Sequence, residues 1–449
     1  MTDKSNHMEK SKTEGWSFPK EFWLANVMEL CERAAYYGFF VVLTLFLTNI
    51  VGFSDKETGL IAGIFFASLY LLPPFVGAIS DRIGFRNGLI LAFGLLTIGY
   101  FLLGVFHSKV AVVFILAIIM VGGSFIKPLI TGTVAKTTTE TNRARGFSLF
   151  YWIVNLGAFG GKTFVPYIRQ GMGLEYVNFF SAGMAFFALL FAVFFFKSVE
   201  TTGGNKSFKE VAQALKRIFT APRLMALTII VAGFWIIQHQ MYATMPKYVI
   251  RLLGEGAKPE WLANVNPAIV VIFVVPITQL MKRFKAVSSM LVGMVLMPLS
   301  ALAMASSQNG MGGVMGLHPL TVMMIIGIAI QGLAECFISP RFLEYFSVQA
   351  PKGQEGLYLG FSHLHSFFSA LAGFIMSGFL LDAYCPDPKT LPLGITEAEK
   401  AAYYANAHKI WFFFLVIGFV AAVALLIFRY VTQKIDDKKE LLGEASVTR

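Results

Sequence analysis

The sequence predicts an all-α membrane protein with twelve transmembrane helices arranged as two six-helix halves. Three observations carry that prediction. Of 449 residues, 56% are hydrophobic, 45 are Phe and only 14% are charged, a balance that no ordinary soluble domain shows. Apolar windows near the roughly 20 residues needed to cross hydrocarbon recur twelve times. The longest polar connection, Lys197 to Pro222, divides those windows six and six, as in folds built from two repeated halves.

The windows lie near 22–48, 58–80, 88–106, 110–135, 146–168 and 176–196, then 223–249, 261–281, 287–306, 319–345, 356–382 and 408–430. They define an N-terminal tail (1–21), a first bundle (22–196), a linker (197–222), a second bundle (223–430) and a C-terminal tail (431–449). With the N-terminus inside, inner segments hold 25 of the 37 Lys and Arg and outer ones 9, while Arg33, Lys127 and Lys162 lie within spans. The positive-inside rule therefore puts both termini in the cytoplasm of a multi-pass cell-membrane protein. The net charge of +11 follows from that asymmetry and from attraction to anionic lipid, so no nucleic-acid partner is expected.

Residues 1–17 are polar and the first apolar run is long and charged, so span one is expected to act as the insertion signal without cleavage. Cys31 and Cys336 fall in spans and Cys385 in an outer loop, which is not a disulfide framework. In the linker, Ser207 and Glu210 have capping-box spacing, and Phe208, Val211, Ala212, Leu215, Ile218 and Phe219 share one helical face. A short helix lying on the inner membrane surface is predicted there, with Lys209, Lys216 and Arg217 toward anionic headgroups.

Span one contains Glu29-Leu-Cys-Glu32-Arg33-Ala-Ala-Tyr36-Tyr37-Gly38. Each such charge at a bilayer centre costs roughly 2.5–3.5 kcal/mol on insertion scales. At i, i+3, i+4, i+7 and i+8, Glu29, Glu32, Arg33, Tyr36 and Tyr37 project from one helical side, toward protein or water. Elsewhere the polar residues at depth are few: Lys127 in span four, Asn155 and Lys162 in five, Gln238, His239 and Gln240 in seven, Asn264 and Asn266 in eight, and Glu335 in ten. From the helical rise, Glu29, Glu32, Arg33, Lys127 and Glu335 fall in the inner half within roughly 10 Å of the midplane. Lys162, His239 and Asn266 fall in the outer half. Opposite charges at one depth on helices one, four and ten can neutralise one another around a central cavity, where protonating one carboxylate frees its basic partner. A buried ion-pair cluster that only fixes helix register is the competing reading.

The inner loop Gly77-Ala-Ile-Ser-Asp81-Arg82-Ile-Gly84-Phe-Arg86 resembles the loop motif of the major facilitator superfamily, which implies conformational roles for Asp81 and Arg82. The matching loop of the second half, Lys282-Arg283-Phe284-Lys285, is basic without the acidic member. The string from Glu29 to Gly38 is similar to the signature of the proton-dependent oligopeptide transporters, the peptide branch of that superfamily. Further matches follow in order: Tyr70-Leu-Leu-Pro-Pro, Lys127-Pro128, Phe150-Tyr151 with Asn155-Leu-Gly157, Phe234-Trp235, Asn266-Pro267, and Glu335 with Ser339-Pro340. Together they cover roughly residues 29–351.

The resemblance implies the major facilitator fold and a symporter that imports di- and tripeptides on a proton gradient, without a cofactor. It implies that Arg33, Tyr37 and Lys127 receive the substrate carboxylate, that Asn155, Asn266 and Glu335 hold its amino end, and that Tyr70 and Trp235 line the pocket. Glu29 and Glu32 would belong to proton coupling together with Glu335. The chemistry agrees, because a zwitterion needs a cationic and an anionic pole.

Two positions depart from the family. Its glutamate of span seven is His239 here, and the proline after its Asn-x-Gly in span five is Lys162. Both changes make the site more positive, from four acids and two bases to three of each. That argues for a substrate more anionic than a plain zwitterion, or for a proton path through His239. Lys162 instead reaches the outer interface in the alternative reading. His363 and His365, about 200° apart on a helix, cannot jointly chelate a metal.

No GxSxG, HExxH or paired-Asp set lies in the spans, so an enzyme is not expected. The alternatives are transport of another small anion or zwitterion, and, from other classes, a channel or a non-transporting receptor. The expected partners are a small peptide or related solute, protons and the lipid bilayer, with the protein a monomer.

Overall fold

The computed structural model describes residues 17–139, 142–197, 208–306, 316–349 and 361–441. In chain order the helices are α1 (Lys20–Asn49), α2 (Asp55–Leu71), α3 (Pro73–Ile83), α4 (Phe85–Val105), α5 (Lys109–Lys136), α6 (Arg143–Gly171), α7 (Tyr176–Leu190) and α8 (Phe208–Phe219). They continue as α9 (Pro222–Ala243), α10 (Met245–Leu253), α11 (Pro259–Leu262), α12 (Val265–Met281), α13 (Ala286–Ala305), α14 (Pro319–Gln349), α15 (Leu364–Tyr384), α16 (Glu397–Tyr404) and α17 (Lys409–Leu441). A π-helical turn, Phe191–Phe195, extends α7.

Ten helical runs among the described residues are long and apolar enough to cross a membrane, and they coincide with ten of the twelve expected spans. The remaining two are also helical. Span two is split into pieces of 17 and 11 residues, because Pro73 and Pro74 lack backbone donors and favour the first turn of a new helix. Span five is one helix of 29 residues, but Arg143, Arg145, Lys162 and Arg169 make it less apolar. Span seven also ends earlier than expected: α9 stops at Ala243, and Pro246 sits in the first turn of α10. The start of span eleven, residues 356–360, lies outside the described residues.

The helices form two compact packing units. The first comprises Met1–Phe40 and Leu72–Phe208, with α4 packed on α5 and α7, and α3 on α5. Here α1 meets α6 through glycine. A Cβ at Gly157 would sit 2.7 Å from the Leu30 carbonyl oxygen, and one at Gly161 only 2.4 Å from that of Ala34. Small residues permit this approach of two backbones in a membrane, and it presses the charged turn of α1 onto α6. Ser181 Oγ adds a hydrogen bond to the Ala35 carbonyl at 2.9 Å. In the α3–α4 loop Gly84 has φ of 83°, open to glycine without strain. Arg86 donates to the carbonyls of Val193 and Phe196 at 2.6 and 3.0 Å, satisfying the end of the π-helical turn.

The second unit comprises Val41–Leu71 and Lys209–Arg449. The end of α1 and all of α2 pack here, α2 against α15. Glycine again sets the distance: a Cβ at Gly59 would lie 2.4 Å from the Phe374 oxygen, and one at Gly378 2.5 Å from that of Asp55. Helix α9 packs on α15 and α17, α13 on α14 and α17, and α12 on α14. In the linker, α8 buries Val211 and Ile218, whereas Ala212 and Phe219 of the same predicted face are exposed, as are Lys209, Lys216 and Arg217. Ser207, the expected cap, lies outside the described residues.

Candidate substrate and proton sites

In the first unit, the charged turn of α1 is buried together. Arg33 Nε lies 3.2 Å from Glu29 Oε1 and donates to Glu32 Oε2 at 2.5 Å, and its Nη2 also contacts Glu32. All three residues are less than a tenth exposed. The guanidinium lies 5.1 Å from the centre of the Tyr36 ring and 6.0 Å from that of Tyr37, within cation–π range. One guanidinium therefore serves two carboxylates, and Glu29 Oε2 is buried with no hydrogen-bond partner among the described residues.

Lys127 is within electrostatic reach of Glu29, Glu32 and Arg33 and is itself exposed. The following Pro128 removes a backbone donor inside α5. Lys162 is buried, with its ammonium 5.4 Å from the Tyr37 ring centre. The glycine contacts of α6 place it on the α1 side. Asn155 donates to the Tyr151 carbonyl of its own helix at 2.8 Å. Arg82 is exposed, and the Asp81 side chain lies outside the described residues.

In the second unit, the Glu335 carboxylate on α14 is held from two helices. Gln238 Nε2 on α9 and Asn266 Nδ2 on α12 both donate to its Oε2, at 3.0 and 3.2 Å. Asn266 and Glu335 are at positions expected from the sequence, whereas Gln238 is an additional member of the site. One turn of α9 also carries a ring cluster. His239 lies 6.5 Å from Tyr70, 6.4 Å from Trp235 and 6.0 Å from Phe374. Its Nε2 is buried without a hydrogen-bond partner among the described residues. His365 stacks on Trp235 at 5.3 Å, and His363 on Tyr70 at 6.4 Å. Both histidines take part in aromatic packing, and no group of three or more His, Cys, Asp or Glu among the described residues is placed to hold a metal ion.

The strongest ionic cluster of the second unit escaped the sequence reading. Asp55, at the start of α2, receives Lys247 Nζ at 2.7 Å and Arg251 in bidentate fashion at 2.8 and 3.0 Å, both from α10. Lys247 also donates to Thr48 of α1 at 2.5 Å, and Arg251 to the Cys385 carbonyl at 2.5 Å. Burial alone would raise the Asp55 carboxyl, but Lys247 and Arg251 outweigh it and hold it below the usual carboxylate range. Burial also pushes the Cys385 thiol up to about 12, and all three cysteines are free. The sequence signal for the cluster was present in Lys247 and Arg251, four residues apart on one helix face.

Comparison with known proteins agrees with this architecture. The family model described as Major Facilitator Superfamily matches residues 26–311. A dipeptide and tripeptide permease B of Aliivibrio fischeri is 27% identical over 242 residues, which is 53% of this chain and 48% of that relative, about half its length. The multidrug resistance protein MdtH of Salmonella paratyphi B is 23% identical and aligns over 86% of this chain and 90% of its own. Among solved structures, the POT family transporter PepTSo superposes with a TM-score of 0.73, at 18% identity, over 93% of this chain and 99% of its own. The resemblance to the oligopeptide transporters read from the motifs thus recurs among both relatives and structures.

Proposed function

Because the chain belongs to the major facilitator superfamily, we propose that it is a proton-coupled symporter importing di- and tripeptides across the cell membrane by alternating access, as a monomer with both termini cytoplasmic. The observation that carries this reading is the buried Arg33 shared between Glu29 and Glu32 with the exposed Lys127 in electrostatic reach. A proton taken up by either carboxylate weakens its hold on the guanidinium, which then pairs with a substrate carboxylate beside Lys127 and Tyr37. Glu335, with one oxygen already oriented by Gln238 and Asn266, receives the peptide ammonium, and Tyr70 and Trp235 flank the chain. Asn155 turns from its own helix to assist. His239 replaces the family's acid as a proton acceptor, which its unpartnered Nε2 supports. Asp81, Arg82 and Lys162 act in the conformational change rather than in recognition.

A second reading, a more anionic solute, is favoured by Lys162 buried against Tyr37. Counterflow of labelled dialanine in liposomes without a pH gradient separates the two. The peptide reading expects competition by di- and tripeptides and none by nitrate, single amino acids or a lipophilic drug of the multidrug class. If an anion or a drug competes and no peptide does, the peptide assignment is wrong.

A further inference from the structure

The basic loop Lys282-Arg283-Phe284-Lys285 finds no place in the transport cycle above. It lines a cavity of about 620 Å³ at the end of the second unit, between α9, α13, α14 and α17. Six bases and two acids face this cavity, and both acids are already engaged. Asp436 takes both terminal nitrogens of Arg223 at 2.9 Å, and Arg223 Nε donates to the Tyr345 hydroxyl at 2.7 Å. Glu344 accepts from Arg341 Nη1 at 2.5 Å.

Four bases, Lys282, Arg283, Lys285 and Arg429, remain with no ion-pair partner among the described residues. All four are exposed. Arg341 adds a donor: its Nη2 bonds the Met281 and Phe284 carbonyls, whereas its Nε is buried with no acceptor among the described residues. The cavity thus offers about four uncompensated positive charges and an unused N–H, which together call for a multiply oxygenated anion.

The cavity rim says which kind. Phe284 and Val348 line the cavity themselves and are 54% and 56% exposed, and the neighbouring Leu280 on α12 and Tyr430 on α17 are 66% and 60% exposed, so exposed apolar side chains flank the basic cluster. A soluble anion would use the charges but not the exposed Phe284 and Val348 that line the same cavity. The positive-inside rule accounts for bases near span ends, but not for their convergence on one cavity whose acids are spent elsewhere.

We infer that this cavity binds the phosphate headgroup of an anionic phospholipid, with its acyl chains along the exposed apolar faces of α12, α14 and α17. Basic pockets between helices at a membrane surface are suited to such headgroups. The site does not depend on what the protein transports.

Native mass spectrometry of the full chain, released from detergent containing equal phosphatidylglycerol and phosphatidylcholine, tests this. The parent protein is expected to retain phosphatidylglycerol preferentially. Arg283→Gln/Lys285→Gln/Arg429→Gln is expected to lose that preference at least tenfold, and a control carrying Lys400→Gln on α16 and Lys409→Gln at the opposite end of α17 to keep it. Equal retention by the parent and the cavity variant overturns the site, as does equal loss in that control. Millimolar inorganic phosphate that strips the lipid as effectively as added phosphatidylglycerol assigns the cavity to a soluble anion and overturns the lipid. Unaltered melting of the cavity variant in phosphatidylcholine confirms that it is folded; should it melt early, Arg429→Gln alone replaces it with the same expected direction.

Discussion

Arg33→Ala is expected to abolish peptide uptake and to lower the stability of the protein by about 3–5 kcal/mol, the range for removing one member of a buried ionic cluster. Two carboxylates, Glu29 and Glu32, would be left within the same turn of α1, both buried, with Lys127 as the nearby base and no guanidinium between them. One or both would have to take a proton to remain inside. Arg33→Lys separates structure from function. It restores a positive charge and much of the stability, but an ammonium cannot form the planar fork that serves two carboxylates and then a third. The variant is therefore expected to reach the membrane at near-normal levels and to remain at least 100-fold impaired in uptake, read as kcat/KM for labelled dialanine. Normal uptake by Arg33→Lys would mean that Arg33 is a structural cation.

Asp55→Asn is expected to have the largest effect on stability outside that turn. Its side chain is nearly inaccessible and compensates two bases at once. With the carboxylate gone, Lys247 and Arg251 would be buried with no acid as close, a loss of about 3–5 kcal/mol. The end of α1 and all of α2 would lose their ionic anchor to α10. The double variant Asp55→Asn/Lys247→Met removes one of the two stranded charges and should recover part of the loss. The pH dependence follows from the lowered carboxyl. A group whose folded pKa is depressed stabilises fully above its unfolded value, about 3.9 for Asp, and that contribution disappears as pH falls through the folded value. Melting temperature should therefore drop below about pH 4 in the parent and lose that component in Asp55→Asn. Thermal unfolding in detergent between pH 3 and 7 measures both.

The charged turn of α1 and the burial of its members were legible in the sequence, because ionisable residues in an apolar window have few tolerable environments. Spans were legible for the same reason, hydropathy being a local property. What was not legible was long-range or geometric. Asp55 is 192 residues from Lys247, and in the sequence each is an ordinary charge at a span end; only the folded chain brings the start of α2 to α10. Gln238 sat beside His239 in the same polar string, but only the register of α9 against α12 and α14 turned it toward Glu335. The breaks at Leu72 and Thr244 did have local signals, Pro73-Pro74 and Pro246, which a window averaging over twenty residues smooths away.

The central claim is that a proton gradient drives accumulation through the α1 network and His239. The direct measurement is labelled dialanine uptake into liposomes of the purified protein with the interior alkaline. The parent is expected to accumulate peptide above the external concentration and to lose this when the gradient is collapsed, while His239→Gln loses accumulation and retains exchange of peptide for peptide. Uptake by the parent that only equilibrates, regardless of the gradient, would contradict proton-coupled symport.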